Sequence, residues 1–255
     1  MLLPTTLPRS LRLRAPSLGI TQLGLFVLAY LLYSAGRWVA VGDLGTATRH
    51  AHSILDLERH LGVAVEATVQ RALENTPELW VLNHLYLAAQ LVVVPGALVL
   101  LYRRARPLYV RLRNTVLATW LVSVPVYAAF PVAPPRLAGI GMVDTITSQT
   151  GFALNSKLTT SLYNQLAAVP SLHVGFAVAV GIALAAATSR RVLKALALLW
   201  GPVVGLAVVA TGNHYLFDIA AGLVAVGVGY ALGELVTRHA PSLRVRTVEP
   251  ALAPS

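Results

Sequence analysis

Cysteine is absent from this chain, which excludes disulfides, a cysteine nucleophile and thiolate metal sites before any motif is read. Charge is nearly as scarce. Only 12% of the 255 residues are Asp, Glu, Lys or Arg, against roughly 25% in an ordinary soluble domain. A disordered segment is richer in charge than this. A soluble domain of this length could not hide its 56% of hydrophobic residues behind so few charged ones, so a conventional soluble enzyme is excluded as well. Acids are the scarcest charged class, 10 against 20 Lys and Arg, leaving a net charge of +10. Taken alone, that balance fits nucleic acid, an anionic membrane surface or an acidic ligand, and position has to decide among them. No internal repeat is present.

What the chain has instead is long apolar runs. About 20 mostly apolar residues cross a bilayer as a helix. Six windows qualify, at about 18–41, 79–102, 115–130, 171–188, 192–210 and 215–236. The third and fourth are short, and Pro125 is expected to kink the third. The first follows Arg9, Arg12 and Arg14 but exceeds the apolar length of a signal peptide and lacks a small-x-small cleavage site, so it reads as a retained anchor. The expected fold is all-α: a six-span transmembrane helical bundle. Residues 1–17 form a cytoplasmic tail, 18–236 the six-helix membrane catalytic domain, and 237–255 a disordered cytoplasmic tail rich in Pro and Ala.

The basic residues then fall into place. The amino-terminal tail, the 103–113 loop, the 190–194 loop and the carboxy-terminal tail hold 14 of the 20, all on one side of a six-span arrangement. The positive-inside rule makes that side cytoplasmic, with both termini inside and no nucleic-acid partner implied. Most acids lie opposite: Asp43, Asp56, Glu58, Glu66, Glu74, Glu78 and Asp144. The first outer loop, 42–78, carries Ile54, Leu57, Leu61, Val65 and Val69 at helical spacing. It is expected to form interfacial amphipathic helices, as a packing lid or, more sharply, a substrate gate.

In so apolar a chain, ionisable residues at span ends are the candidates for chemistry. Three clusters meet on the outer side. Thr211-Gly212-Asn213-His214-Tyr215-Leu216-Phe217-Asp218 places His214 and Asp218 on one helical face, where the carboxylate can hold the imidazole tautomer and leave the other nitrogen reactive. The same spacing also serves a helix cap. Pro170-Ser171-Leu172-His173 starts a helix whose backbone N–H groups, with the Ser171 hydroxyl, can receive an anion beside His173. The same histidine also fits a structural role. Pro134-Pro135-Arg136 supplies a guanidinium for phosphate oxygens, or a lipid anchor at headgroup level.

Together, in this order, the clusters resemble the phosphatidic acid phosphatase type 2 superfamily, with its signature K-x(6)-R-P, P-S-G-H and S-R-x(5)-H-x(3)-D. Pro134-Pro135-Arg136, Ala168-Val169-Pro170-Ser171-Leu172-His173 and Thr211-Gly212-Asn213-His214-Tyr215 further resemble its inositol phosphorylceramide synthase branch. The likeness covers roughly 50–235. It implies His214 as nucleophile, Asp218 as its orienting carboxylate, His173 as general acid, and Ser171, Asn213 and Arg136 around the phosphate. The sequence departs from the pattern at Val99, where the Lys ahead of Arg106-Pro107 would stand, and at Ala207-Val208 in place of Ser-Arg. Arg106 also sits a span of about 17 residues, some 25 Å, from Arg136. Lys157 and Arg37 are the candidates for the lost cation, and Asn83 and His84 open the second span at the same level.

The resemblance implies a metal-independent enzyme without cofactor, a lipid phosphatase or inositolphosphotransferase-like phosphotransferase working through a phosphohistidine. Its partner is a membrane lipid, with an alcohol or an inositol-containing molecule as acceptor or donor. Its location is the cell membrane, multi-pass, with the active site on the extracytoplasmic side. A non-catalytic lipid transporter or flippase-like protein is the alternative, and a structural membrane subunit a third.

Overall fold

The computed structural model describes residues 43–162 and 164–239, with positions 22, 24, 26–28 and 31. Apart from those positions the first expected span lies outside the described residues, as do Arg37, the 1–17 tail and the chain from 240 onward. The described chain is all-helical. Its helices are α1 Leu44–His60, α2 Glu66–Leu73, α3 Pro77–Ala88, α4 Val94–Arg104, α5 Arg106–Ala129, α6 Thr145–Thr150, α7 Lys157–Leu162, α8 Leu172–Ala186, α9 Arg191–Ala210 and α10 Leu216–His239. A π-helical turn, Ala89–Val93, joins α3 to α4, and Pro135–Leu137 forms a 3-10 turn. A lone parallel bridge pairs Val132 with Ala167.

Three of these helices are long and apolar enough to cross a membrane: the continuous Pro77–Arg104, α9 and α10. The shorter α8 is also apolar. At 24 residues α5 is about 36 Å long. It begins at Arg106, well ahead of the expected 115, and the expected basic loop at 103–113 shrinks to Ala105, the single residue between α4 and α5. Hydropathy misjudged this boundary because arginine is a good helix former and Pro107 fits a helix's first turn. Pro125 lies within α5 without ending it.

The bundle packs through small residues. A Cβ on Gly229 would collide with Thr119 of α5, and one on Gly233 would come within 3.1 Å of the Asn114–Thr115 backbone, so α10 and α5 meet almost backbone to backbone. Gly222 sits equally close under Ser171, where a Cβ would be 2.5 Å from the carbonyl oxygen. At the end away from the histidines, buried Arg113 is held by Asn114 Oδ1 and Gln22 Oε1, and Asn114 Nδ2 donates to Thr237 Oγ1.

At the other end α1, α2 and the 130–171 segment form a cap. Asp43 starts α1 by accepting the Thr46 N–H at 3.0 Å. The expected apolar stripe packs only in part: Ile54 is buried and Val69 partly so, but the other three are exposed. Leu57 is 45% exposed and Leu61 66%, while Ala47, Ala51, Ile54, Leu55 and Glu58 are buried against Val132, Ala133, Ala168 and Tyr215. The inward face of α1 combines the small Ala47 and Ala51 with Ile54, Leu55 and the polar Glu58, while Leu44, Leu57 and Leu61 point outward. Ala133 N–H donates to Ala47 O, and Val132 N–H to Leu166 O, stitching the cap together.

Candidate active site

The turn between α9 and α10 is set by its backbone. Asn213 and His214 N–H both donate to Val208 O, at 3.0 and 3.1 Å, and Gly212 takes a left-handed φ of 69° in a space bounded by Gln70, Val143 and Arg136. His214 is thereby held just before α10. Its Nδ1 lies 2.9 Å from Ala168 O and 3.1 Å from Asp218 Oδ2. A carbonyl oxygen only accepts, so Nδ1 carries the proton and Nε2 keeps its lone pair. Asp218 Oδ2 also accepts the Tyr215 N–H at 2.9 Å, which fixes the carboxylate. Burial pushes the His214 pKa down to about 4, against the pull of the Ala168 carbonyl and with the Arg136 charge adding to the fall. The imidazole is therefore neutral near pH 7.

His173 stands on the first turn of α8 with its ring stacked on Tyr86, centroids 4.1 Å apart, and 5.9 Å from the His214 ring. Arg136 comes from the 3-10 turn that Pro134 and Pro135 impose. Its Nε donates to Asn213 Oδ1 at 2.9 Å and its backbone N–H to Gly212 O at 2.9 Å, while Asn213 Nδ2 is held by Thr211 Oγ1. His173, His214, Asn213 and Arg136 line one cavity of about 1070 Å³. From there the cavity is walled largely by apolar residues such as Leu91, Leu98 and Phe176 and reaches Tyr102. The 16 residues from Tyr86 to Tyr102 correspond to about 24 Å of helix.

The structure thus brings His214, Asp218, His173, Arg136 and Asn213 together. Ser171 is fully buried, and its hydroxyl caps α8 through the Val174 N–H while its own N–H donates to Asp218 O; it is not among the cavity-lining residues. Lys157 is exposed at the start of α7, outside the lining. Asn83 is used by Thr145 and Gln149, and His84 lies against Trp80. Ala207 and Val208 are buried, so no cation stands where the third motif would carry one. Arg106 lies over Tyr102 at the opposite end of α5. Among the described residues no His, Asp and Glu group is arranged to hold a metal ion.

Three cap residues escaped the sequence reading: Glu58, Glu66 and Gln70. Glu58 Oε1 accepts the Phe217 N–H at 2.7 Å and Glu66 Oε1 the Leu216 N–H at 3.0 Å, while Gln70 ties Val143 to the last carbonyl of α9. The two glutamates carried a signal, as acids in a charge-poor chain, with Glu58 on the Ala47–Ala51 side of α1, whereas the neutral Gln70 carried none.

The model of one protein family, described as the PAP2 superfamily, matches residues 52–232, a span that takes in both histidines, Asp218 and Arg136. No curated protein and no solved structure matches the chain.

Proposed function

The chain belongs to the PAP2 superfamily, and from that premise we propose that it removes or transfers the phosphate group of a membrane lipid through a phosphohistidine on His214. The observation that carries this reading is the tautomer of His214. With Nδ1–H donated to Ala168 O and Asp218 Oδ2, the nucleophilic nitrogen left is Nε2, in a cavity shared with His173 and Arg136. In the first step Nε2 bonds to phosphorus as the bond from phosphorus to the lipid oxygen breaks, and His173 gives that oxygen a proton. In the second, His173 takes a proton from water or an acceptor alcohol, whose oxygen bonds to phosphorus and releases His214. Arg136, oriented by Asn213, balances charge on the phosphoryl oxygens. Asp218 stabilises the imidazole as it becomes cationic. The apolar remainder of the cavity suits a hydrocarbon chain.

The wider reading is a six-span protein with both termini in the cytoplasm, its site at the extracytoplasmic interface, and a phosphotransferase activity like that of inositol phosphorylceramide synthases. The loop charges support the orientation, and the motifs at Pro134–Arg136, Ala168–His173 and Thr211–Tyr215 support the branch. Purified protein incubated with a labelled lipid phosphate tests the core of it. We expect an acid-labile phosphohistidine that is absent from His214→Ala; wild-type turnover by that variant sinks the assignment of His214, and no turnover and no phosphohistidine in the wild type leaves the lipid-transporter reading. Free phosphate without acceptor identifies a phosphatase, and a new lipid that appears only with an added alcohol or inositol identifies a transferase.

A further inference from the structure

The helix that follows His214 begins on carboxyl groups drawn from three places in the fold. The first N–H groups of a helix have no intrahelical partner. Here those of Tyr215, Leu216 and Phe217 go in turn to Asp218 Oδ2, Glu66 Oε1 and Glu58 Oε1. Glu66 and Glu58 lie 150 and 159 residues from their donors, on α2 and α1. All three acids are buried, at 2% exposure for Glu58, 1% for Glu66 and 0% for Asp218. The described ion pairs give none of them a Lys or Arg partner. Glu58 Oε2 meets no donor group among the described residues, yet the Glu58 and Glu66 side chains lie within hydrogen-bonding reach of each other. Two carboxyl groups can share such a contact only when one of them is protonated.

We propose that Glu58 and Glu66 are positioning residues for His214: as a carboxyl pair sharing one proton they clamp α1 and α2 onto the first turn of α10, and so hold Asp218 and the imidazole it orients. The inference rests on the reading of His214 as nucleophile. The clamp is short, since Phe217 adjoins Asp218 and Leu216 lies two positions before it, and a shift of that turn moves the Asp218 carboxylate directly.

The pair also makes the clamp pH-sensitive. Burial, with Glu66 and Asp218 nearby, carries the Glu58 pKa up to about 8 against the pull of the Phe217 N–H. The titratable groups that act on Glu58 are Glu66 from α2 and Asp218 and Tyr215 at the start of α10. Arg59, its neighbour on α1, is exposed and paired with Asp56. The Tyr215 phenol is raised far above its ordinary value by burial and by the same carboxyls, so it stays neutral through this window. Below about 8 the pair keeps its proton and the clamp is closed. Above it, a new charge beside Glu66 and Asp218 drives the cap from α10, and turnover falls.

The test uses the full chain in detergent with a lipid phosphate, comparing wild type, Glu58→Gln, Glu66→Gln and Glu58→Ala. We expect an alkaline limb in the wild-type kcat/KM profile with a midpoint near 8, flattened in Glu58→Gln, whose amide donates to Glu66 at any pH. Glu58→Ala is expected to lower kcat about tenfold or more with a smaller change in KM, and Gln to restore most of the loss. Infrared spectroscopy gives a readout free of turnover: a protonated-carboxyl band that fades near pH 8 in wild type and is missing from Glu58→Gln. A wild-type profile in Glu58→Ala, an alkaline limb retained in Glu58→Gln, or no such band in folded wild type overturns the proposal. If Glu58→Ala does not fold, the two Gln variants and the band decide. A titrating band in a protein whose His214→Ala variant still turns over keeps the shared proton but rejects its link to catalysis. An inert His214→Ala with no band in wild type rejects the clamp and leaves the function standing.

Discussion

In the proposed reaction His214 must be neutral to attack phosphorus, and its titration is where the geometry makes its sharpest quantitative demand. Burial between the α9–α10 turn and Ala168, with the Arg136 charge adding to it, lowers the pKa from 6.5 to about 4. At pH 5 a group with that pKa is about 90% neutral, whereas an ordinary histidine is about 3% neutral, a difference of roughly 30-fold in reactive enzyme. The linked effect on stability has a definite sign. A base whose folded pKa lies below its unfolded value stabilises the fold fully above about pH 6.5 and loses that contribution as pH falls toward 4, about 3 kcal/mol in all. Nitrogen-15 spectra of histidine-labelled protein in detergent read both charge and tautomer, and His214→Ala identifies the resonance. The expected signal is a neutral ring protonated on Nδ1 that persists to about pH 5, with a midpoint near 4 that rises in Arg136→Met. A midpoint near the ordinary 6.5, or a neutral ring protonated on Nε2, refutes the reasoning.

Three further outcomes follow from the same contacts. Asp218→Asn removes the carboxylate that holds His214 Nδ1–H and should lower kcat by roughly two to four orders of magnitude with little change in KM, measured by lipid-phosphate turnover. Arg136→Lys keeps the charge but loses the Nε bond to Asn213, so kcat/KM should fall about 30-fold, the equivalent of about 2 kcal/mol; a fully active Lys variant would show that charge alone suffices. Gly229→Ala drives a methyl into Thr119 and should cost about 1–3 kcal/mol, read as a lowered unfolding midpoint in detergent, while Gly227→Ala, with open space around it, should not lower it.

Much of the candidate site was legible because its signals are local. His214 and Asp218 are four residues apart, and a helix start turns that spacing into a contact without help from distant parts of the chain. Apolar length likewise located α9, expected over 192–210 and found at Arg191–Ala210. Two other features needed the packed fold. The arginines at 103–113 read as a loop because hydropathy marks where apolar residues stop, yet α5 carries three of them, Arg106, Arg111 and Arg113, inside its helix. The helical stripe on α1 misled in a different way. Of its α1 members and the residue after it, Ile54 is buried but Leu57 and Leu61 are exposed, because apolar residues mark the inward face only where the exterior is polar; in a chain this apolar Ile54 shares that face with Ala47, Ala51, Leu55 and Glu58. Ser171 carries a use that a short motif does not display: its hydroxyl oxygen caps α8 by accepting the Val174 N–H.

The charges around His214 divide into two sides, and the division bears on which substrate suits the site. Asp218, Glu58 and Glu66 gather at the start of α10, where, in the proposed reaction, a ring that turns cationic on attack is stabilised by the carboxylate on its Nδ1. On the cavity side the described cations are Arg136, beside the histidines, and Arg103 at the far end. With Val208 buried in the position of the missing arginine and Lys157 outside the lining, one guanidinium and the start of α8 must balance the phosphoryl oxygens. A phosphate monoester brings about −1.5 to −2 charges at neutral pH. A phosphodiester, with no second ionisable oxygen, brings one. A single guanidinium matches the diester more closely, which makes the transferase form of the proposed reaction, with a phospholipid headgroup as donor, the one that asks least of this site's electrostatics.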